Sequence, residues 1–381
     1  MSGAEDQGAA AAGRLAAARE AAGLFELGGR PAGLAAYGDG HINESYALSV
    51  EGPGAPARRL LLQRINQAVF RDPEALMGNL LRVTRHIRAK LEEDGHPEPE
   101  RRCLSLVPAR DGRAFARDAE GGYWRAYRFI EDSRSSPAAS HPAAARGLGA
   151  AVGSFQAMLA DLPGPRLAET IPRFHDASAR FAAFEEAAAE DRAGRAASVR
   201  REIAFFEERG EGLGRIAGAL ASGSLRERIT HNDAKADNLL VDAATGEPLC
   251  LVDLDTVMPG AAAYDFGDLA RTVSATSPED RAEGMGLELG LFAALAEGYA
   301  SEAASFLSGP ERESLPWGAR IIAVEQGLRF LADHLDGDTY YRIARPGQNL
   351  DRARASIELA RSMEAQWDAM RGAVEAAFAR S

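Results

Sequence analysis

The sequence contains very few cysteines and lysines, and both shortages limit its chemistry. Cysteine occurs only at Cys103 and Cys250, which are far apart and lack the spacing of a metal site or a disulfide framework. We expect both to be reduced, buried thiols of a cytoplasmic protein. Lysine occurs only at Lys90 and Lys235, so arginine supplies every other fixed positive charge. Lys235 is therefore a candidate functional residue.

The sequence also lacks the features of membrane and nucleic-acid-binding proteins. It has no run of about 18 apolar residues, and its first residues are acidic where a signal peptide would be basic. The net charge of −12 argues against nucleic acid or an anionic membrane as a partner. With 381 residues, 46% of them hydrophobic, the chain can bury a core as two domains or as one bilobed unit.

The most informative stretch covers residues 229–241 and 251–255. Asp233 and Asn238 are separated by four residues, as in the H-x-D-x-x-x-x-N catalytic loop of kinases. Between Asn238 and Asp253 the sequence predicts a strand, a Thr245-Gly246 turn and a return strand. Such a hairpin would bring Asp253 beside Asn238. The alternative is an ordinary polar turn between two buried strands.

These residue types suit phosphoryl transfer, which depends mainly on positioning and on neutralising developing charge. Asp233 would accept the proton of the attacking hydroxyl group. Asn238 and Asp253 offer the oxygen ligands that Mg²⁺ prefers, with phosphate oxygens and water completing its shell. Lys235 would reach the γ-phosphate of ATP, whereas His231 is expected to be structural.

A second motif, Asp265-Phe266-Gly267, spells the sequence that usually holds the kinase metal. It lies too far beyond Asn238 for a single hairpin, and apolar residues at helical spacing follow it. We therefore assign the metal to Asp253. We predict that Asp265 is a buried carboxylate that caps the helix and holds the catalytic loop through hydrogen bonds.

Together with Tyr264-Asp265, these motifs resemble aminoglycoside phosphotransferases and choline kinases, the small-molecule branch of the protein-kinase-like fold. Longer strings are similar to N-acetylhexosamine 1-kinases, namely residues 40–46 (GHINESY), 62–66 (LQRIN), 253–260 (DLDTVMPG) and 327–331 (GLRFL). The resemblance covers roughly residues 33–365. It implies an α+β, bilobed fold with a small N-lobe of antiparallel sheet and helix and a larger, mainly helical C-lobe.

The first 131 residues are expected to form a leader and the N-lobe. Residues 1–13 are rich in alanine, glycine and polar residues and predict a disordered leader, and the N-lobe follows over residues 14–131. Its first hairpin carries a loop with small residues and free N–H groups that suit the phosphates of ATP. The candidate contacts are Gly40, His41, Ile42 and Asn43. Alternatively, the loop glycines only shape a turn.

Two further parts of the N-lobe are expected to bind ATP. The third predicted strand, residues 59–65, lacks the lysine that pairs with the α- and β-phosphates in kinases. Strand alternation puts Gln63 and Arg64 on opposite faces, and Arg64 is the better charge match. The strand over residues 123–130 leads to the expected hinge. Backbone groups there, including those of Arg128 and Ile130, would bind the adenine edge, unless this is a plain edge strand.

The C-lobe, residues 132–381, is predicted to be mainly helical, with helices over residues 143–159, 176–190, 196–209, 214–221, 266–273, 278–307, 311–335 and 350–378. Arg329, Asp255 and His175 are the candidates for binding the acceptor. Arg329 could instead pair with Asp333 one turn further along its helix. His175 could instead be a helix cap or a core partner.

Three hypotheses remain. The first is a Mg²⁺- and ATP-dependent kinase that acts, by resemblance, on the anomeric hydroxyl of an N-acetylhexosamine or a related sugar. The second is a kinase of the same fold acting on an amino alcohol or an aminoglycoside, because Asp255, Asp336 and Asp338 could line a pocket for a cation. The third is a nucleotide-binding pseudokinase, supported only by the missing lysine. The partners are thus ATP and a small hydroxylated acceptor, and the protein could be a monomer or a homodimer.

Overall fold

The protein is described by a computed structural model that covers residues 2–38, 42–52, 57–136 and 139–381, with side chains from residue 11 onward. Its contacts divide the chain into two compact units, one ending at Asp132 and the other beginning at Ser133. Each unit has its own sheets and its own buried side chains.

The N-terminal unit is built on an antiparallel sheet with the strand order β1-β2-β3-β6-β4, and β5 also pairs with β6. The predicted first hairpin and third strand are both confirmed. The elements of this unit are α1 (Ser2–Ala22), β1 (Arg30–Ala36), β2 (Glu44–Glu51), β3 (Arg58–Arg64), α2 (Pro73–Glu93), α3 (Pro99–Arg102), β4 (Leu106–Val107), β5 (Ala116–Arg117) and β6 (Tyr123–Arg128).

The core of this unit lies between α1 and the sheet. Every second residue of β2 is buried, because side chains alternate between the two faces of a strand. These residues pack with Trp124 of β6 and with Phe25, just beyond α1. The helix begins at Ser2, whereas a disordered leader was expected over residues 1–13. Alanine has the highest helix propensity, which favours helix in this alanine-rich stretch.

The C-terminal unit is mainly helical and contains two small antiparallel sheets, with orders β10-β9-β7 and β11-β8. Its helices are α4 (Pro142–Leu159), α5 (Ala177–Glu190), α6 (Arg200–Glu207), α7 (Gly210–Leu213), α8 (Arg215–Ala221), α9 (Ala262–Val273), α10 (Leu289–Ala303), α11 (Gly309–Leu335), α12 (Gln348–Ala365) and α13 (Trp367–Arg380). Its strands are β7 (Ser133–Ser135), β8 (Arg228–Thr230), β9 (Leu239–Asp242), β10 (Pro248–Leu251) and β11 (Met258–Gly260).

Several predicted helices differ from the structure. The one expected over residues 196–209 is a 3-10 turn at Ala196–Ser198 followed by α6, and the one expected over residues 266–273 already begins at Ala262. The one expected over residues 278–307 is helical only from Leu289 to Ala303, and the positive φ of Gly284 (73°) is not helical. The one expected over residues 350–378 is interrupted at Gln366 and forms α12 and α13. Among the described helices, none combines the length and the apolar composition needed to cross a membrane.

Neither Cys103 nor Cys250 forms a disulfide, and both side chains are buried, as expected. Burial raises the pKa of Cys103 to about 12. That thiol therefore stays protonated near neutral pH and has little nucleophilic character.

Candidate active site

The catalytic motif forms a loop that leads into the predicted hairpin. A short 3-10 turn covers Ala236–Asn238, and β9 and β10 then pair as antiparallel strands. The amide of Val252 donates to the carbonyl of Asn238 at 2.8 Å. The hairpin therefore returns the chain to Asn238 one residue before Asp253. The predicted hairpin is confirmed, whereas the metal-binding role of Asp253 stays a prediction.

Two neighbours from the same loop fix the carboxylate of Asp233. Nδ2 of Asn238 donates to Oδ2 of Asp233 at 2.8 Å and to the Asp233 carbonyl at 2.8 Å. Nζ of Lys235 lies 3.2 Å from the same Oδ2, and 27% of the Asp233 side chain is exposed. The carboxylate is thus held in one orientation and remains accessible to a small molecule.

The charges of Asp233 and Lys235 stabilise each other. Burial has the largest single effect and would raise the pKa of Asp233, but the charge and hydrogen bond of Lys235 and the weaker effects of other neighbours together outweigh it, so the pKa lies below its usual value. The charge of Asp233 in turn raises the pKa of Lys235. Asp233 is therefore a carboxylate at neutral pH, the form that can orient a hydroxyl group and accept its proton.

His231 is fully buried and acts as a structural part of the loop, as predicted. Its Nδ1 accepts a hydrogen bond from the amide of Asp233 at 3.3 Å. Because an amide can only donate, Nε2 must carry the proton, which it donates to the carbonyl of Val252 at 2.9 Å. The imidazole thus ties the loop to the end of the hairpin.

Asp265 holds the catalytic loop through hydrogen bonds to its backbone, as predicted. It is fully buried. Its Oδ2 accepts from the amide of His231 at 2.8 Å and from Nε2 of Gln156 at 2.7 Å, and its Oδ1 accepts from the amide of Asn232 at 2.7 Å. The expectation that Asp265 caps its own helix is wrong. The cap position is Ala261, and both oxygens of Asp265 bind the loop and its neighbours instead.

Helix α9 supplies further support for the loop that the sequence reasoning missed. Oγ1 of Thr272 accepts from the amide of Ala236 at 3.1 Å. Nε of Arg271 donates to Oδ1 of Asp268 at 2.7 Å, and both side chains are at least nine-tenths buried. Burial raises the pKa of Asp268, and the charge of Asp233 adds to this shift. The sequence signal that could have predicted this pair is an aspartate and an arginine three residues apart on the same helix.

His175 is a core partner of the loop in this structure. Its Nε2 bonds to the carbonyl of Asn232 at 2.7 Å, and its ring centroid lies 4.6 Å from that of Tyr264. Nδ1 lies 3.6 Å from Oε1 of Glu325. Burial has the largest single effect and would lower the pKa of His175, but the charge of Glu325, the hydrogen bond to the Asn232 carbonyl and the charge of Asp268 together outweigh it, so the pKa is raised. A role of His175 in binding the acceptor stays a prediction.

Three buried polar atoms of this cluster have no hydrogen-bond partner within the described residues. They are Nδ1 of His175, Oη of Tyr264 and Oε2 of Glu325. Buried polar groups are normally satisfied by protein, water or ligand. The cluster follows the catalytic loop directly, since His175 contacts the residue before Asp233.

Arg329 does not form the salt bridge with Asp333 that the sequence left open. The Asp333 carboxylate instead accepts backbone amides of residues 339–341. Nη1 of Arg329 donates to Oε1 of Gln326 at 2.8 Å, and its guanidinium carbon lies 5.6 Å from the centroid of the Tyr341 ring. A role of Arg329 in acceptor binding stays a prediction. The alternative, an ion pair with Asp333 along the helix, is not found.

The predicted acidic pocket for a cation is not assembled in the structure. Asp255 is only 2% exposed. Asp336 pairs with Arg192 at 3.3 Å, and Asp338 pairs with Arg195 at 2.6 Å. The ion pairs of Asp336 and Asp338 explain their positions without any ligand. Asp255 as an acceptor contact stays a prediction.

The predicted phosphate loop lies partly outside the described residues, which leave out Gly40 and His41. Ile42 and Asn43 are tied to the end of the third strand. The carbonyl of Ile42 accepts from Nδ2 of Asn66 at 3.1 Å, and Oδ1 of Asn43 accepts from the amide of Asn66 at 3.0 Å.

The position of the missing lysine faces a buried arginine. Gln63 lies opposite Arg125 in the register of β3 and β6, and Nε of Arg125 donates to Oε1 of Gln63 at 3.0 Å. Arg125 is 1% exposed. Arg64 lies on the other face, with its guanidinium carbon 5.9 Å from the Trp124 ring centroid. Sequence reasoning missed Arg125 because cross-strand register is set by the fold.

The hinge candidates lie at the end of β6. The amide of Arg128 donates to the carbonyl of Ser105 at 2.8 Å, so it is already used within the sheet. Ile130 is 7% exposed. Binding of adenine by their backbone groups stays a prediction.

The residues near Asp233 fit a magnesium ion that is bound together with phosphates. The Nδ2 of Asn238 is used by Asp233, which leaves Oδ1 as its ligand atom. Asp253 has a left-handed φ of 59°, an uncommon conformation that often marks functional positions. No group of three or more His, Cys, Asp or Glu able to hold a metal occurs within the described ranges. Mg²⁺ needs only one or two protein ligands beside phosphate and water.

Comparisons with known proteins identify the family of the chain. Residues 33–304 match the phosphotransferase enzyme family, APH. The chain is similar to an aminoglycoside phosphotransferase from Alicyclobacillus acidocaldarius, with a TM-score of 0.60 and 14% identity over 94% of this chain and 96% of that one. It is also similar to the amicoumacin kinase hAmiN in complex with AMP-PNP, Ca²⁺ and Ami, with a TM-score of 0.56 and 15% identity over 89% and 91% of the two chains.

A third similar structure is spectinomycin phosphotransferase in complex with ADP and spectinomycin, with a TM-score of 0.54 and 11% identity over 88% of this chain and 94% of that one. At such low sequence identities, the structural similarity shows a shared fold. The predicted α+β, kinase-like fold is therefore confirmed. The family match extends over most of the chain. The chain belongs to the APH phosphotransferase enzyme family and is a small-molecule phosphotransferase with a hydroxyl acceptor.

Proposed function

We propose that this protein transfers the γ-phosphate of ATP, with Mg²⁺, to the anomeric hydroxyl of an N-acetylhexosamine or a related sugar. The observation that carries the phosphotransferase part is the accessible Asp233 carboxylate, held 2.8 Å from Asn238 and 3.2 Å from Lys235. In the reaction Asp233 accepts the hydroxyl proton, the sugar oxygen bonds to the γ-phosphorus, and the bond from that phosphorus to the bridging oxygen of ADP breaks.

The chain's own residues provide the positioning. Asp233 orients the hydroxyl, and Lys235 offers a positive charge to the γ-phosphate. Asn238 and Asp253 would hold Mg²⁺, which supplies neutralisation of phosphate charge when it is bound. Ile42, Asn43 and the rest of the residue 38–43 loop, together with Arg64, are proposed to contact the nucleotide.

The sugar acceptor is supported by two independent features. The strings shared with N-acetylhexosamine 1-kinases include residues 327–331, which contain Arg329. The unpartnered polar atoms of His175, Tyr264 and Glu325 would suit a ligand rich in hydroxyl groups, since each could exchange a hydrogen bond with it. We place the reaction in the cytoplasm, where ATP is plentiful and the two free thiols stay reduced.

A second candidate acceptor is an amino alcohol or an aminoglycoside. Glu325 favours it, because this 1% exposed residue has a carboxylate oxygen without a partner among the described residues. Two similar structures are also named as an amicoumacin kinase and a spectinomycin phosphotransferase. His175, however, lies 3.6 Å from Glu325, and because its pKa is raised, its imidazolium form balances part of the Glu325 charge. We therefore favour the neutral sugar.

A phosphate-transfer screen tests the proposal. The purified protein is incubated with ATP and Mg²⁺ against N-acetylhexosamines, other sugars, amino alcohols and aminoglycosides, with the Asp233→Asn variant as the background control. We expect ADP release with N-acetylhexosamines and a product that has lost its reducing end. Turnover of choline-like or aminoglycoside acceptors without turnover of N-acetylhexosamines would refute the sugar but not the phosphotransferase. No turnover of any acceptor would favour the pseudokinase.

A further inference from the structure

A pocket of about 600 Å³ lies in the C-terminal unit. It is open to solvent on one side and is lined by α8, the beginning of α11 and α13, and none of its lining residues belongs to the catalytic loop or to the acceptor candidates. This volume is within the range of sites for small molecules, which is about 300–1,000 Å³.

The cavity has an aromatic wall. Trp317 of α11 and Trp367 of α13 pack edge to face, with ring centroids 4.5 Å apart and planes at 62°. Both indoles are partly exposed, and Phe378 also lines the cavity. The accessible parts of these rigid rings offer a planar ligand an apolar contact at a small cost in conformational entropy.

Two arginines of the cavity are available to an anion. The guanidinium carbon of Arg215 lies 4.2 Å from the centroid of Trp317, and within the described chain this exposed side chain has no ion pair or hydrogen bond. Arg371 has only an exposed contact with Glu375, 3.6 Å away and one turn further along α13. Exposed pairs of this kind contribute little and exchange easily for another anion.

The third arginine has a different task. Nε of Arg312 donates to the carbonyl of Leu307 at 3.0 Å, and Nη2 donates to that of Ala304 at 2.7 Å. Its guanidinium also lies over Phe378, 5.0 Å from the ring centroid. Arg312 therefore satisfies backbone carbonyls at and beyond the end of α10, and these two nitrogens are not available to a ligand.

The local charge favours an anion. Three arginines and two glutamates line the cavity, so it carries a net positive charge in a protein whose total net charge is −12. An unpaired guanidinium already stacked on an indole can bind a carboxylate or phosphate group at the edge of a ring that stacks on the same wall.

We propose that this cavity is a binding site for a small planar aromatic anion, whose ring packs against Trp317 and Trp367 and whose acidic group binds Arg215 and Arg371. The site is separate from the phosphotransferase site, and it does not depend on which acceptor that site uses.

Calorimetric titration of the full chain with 1-naphthyl phosphate tests the proposal. Two matched probes separate its parts, since 1-naphthol has the ring without the anion and cyclohexyl phosphate has the anion without an aromatic ring. We expect 1-naphthyl phosphate to bind at least about tenfold more tightly than either. Equal binding of all three probes, or no binding of 1-naphthyl phosphate, would refute the proposal.

Charge-matched variants then locate the binding. Arg215→Gln and Arg371→Gln should each weaken binding about tenfold, whereas Arg226→Gln, which removes an exposed arginine outside the cavity, should not. All three variants should keep the wild-type melting temperature and basal ATP turnover. Equal affinity in Arg215→Gln and Arg226→Gln would show that the probe binds elsewhere, for example at the nucleotide site, and would overturn the assignment.

Discussion

At the scale of single residues, the chemistry depends on how Asp233 is held. Lys235 and Asn238 bind the same carboxylate oxygen, Oδ2, and leave the other oxygen for a substrate hydroxyl. Asp233→Asn keeps the shape but removes the proton acceptor. We expect turnover to fall by about 10²–10⁴ while the KM for ATP changes little.

Steady-state kinetics with saturating ATP measure this effect, and Asp237→Asn is the control. Asp237 is an exposed acid of the same loop, so its amide variant should retain wild-type turnover. If Asp233→Asn remains within a few-fold of the wild type, Asp233 is not the base.

Arg329 is the residue on which acceptor recognition can be tested most cleanly. Because the Asp333 carboxylate is bound by backbone amides, removing the Arg329 guanidinium breaks no helix ion pair. Arg329→Ala should therefore raise the acceptor KM about 10–100-fold, as expected for a lost hydrogen bond to a charged group. The KM for ATP and the melting temperature should remain nearly constant.

The Arg329→Lys variant adds a geometric test, since lysine keeps the charge but lacks the planar fork. It should recover only part of the acceptor affinity. An unchanged acceptor KM in Arg329→Ala would remove Arg329 from the acceptor site.

At the scale of elements, the sequence could predict what is local and little of what is paired at a distance. The β9–β10 hairpin follows from two short apolar runs on either side of a Thr-Gly turn, and it places Val252 beside Asn238. The sequence analysis did not predict β7, β8 or β11, which are only three residues long and have no clear alternation of apolar and polar residues. In the structure β7 pairs with β9, and β8 pairs with β11. Their pairing is decided by tertiary context, which propensity does not contain.

The same distinction applies to side chains of the site. The spacing of Asp233 and Asn238 is local and could be predicted. The contact of Thr272 with Ala236 joins residues from different elements. So does the contact of His175 with Asn232. Such contacts depend on how α9 and the segment before α5 pack against the loop. Local patterns in a single sequence do not predict this packing.

Helix α9 reaches the loop because it packs closely on α11. A Cβ atom added to Gly318 would lie 1.9 Å from the carbonyl oxygen of Ala263, and one added to Gly267 would lie 2.4 Å from the carbonyl carbon of Gly318. Gly318→Ala must push the two helices apart. We expect a loss of about 1–3 kcal/mol or more in the free energy of unfolding.

Gly372→Ala is the matched control, because it adds the same methyl group to a helical glycine of α13 that has nothing within 4 Å. It should stabilise the protein by about 0.5–1 kcal/mol, since alanine favours helix. Chemical denaturation of both variants measures the difference. Equal stabilities would show that the α9–α11 contact tolerates a side chain.

At the scale of the whole molecule, the net charge of −12 opposes binding of a nucleotide that is itself an anion. Local positive charge must outweigh this field. Within the described residues, Lys235 beside Asp233 is a candidate for this charge, and a divalent cation would add to it. Nucleotide binding should therefore depend strongly on that cation.

This dependence separates the two aspartates of the motif through the unfolding of the whole protein. ATP with Mg²⁺ should stabilise the wild type by about 2.7 kcal/mol at a ligand concentration of 100 times Kd, and EDTA should abolish most of that gain. Asp253 is exposed. Asp253→Ala should thus keep its fold but lose the Mg²⁺-dependent gain, and the left-handed φ of 59° should cost the unliganded variant at most about 1–2 kcal/mol.

Asp265→Ala should behave in the opposite way. It leaves the buried amides of His231 and Asn232 without their acceptor, so the unliganded protein should lose about 2–5 kcal/mol. The gain from Mg²⁺ and ATP should persist in whatever fraction remains folded, because Asp265 offers no free oxygen to a metal. Thermal melts of both variants, with and without Mg²⁺, ATP and EDTA, measure these effects. If Asp265→Ala loses the Mg²⁺-dependent gain and Asp253→Ala keeps it, the metal ligand is Asp265 and not Asp253.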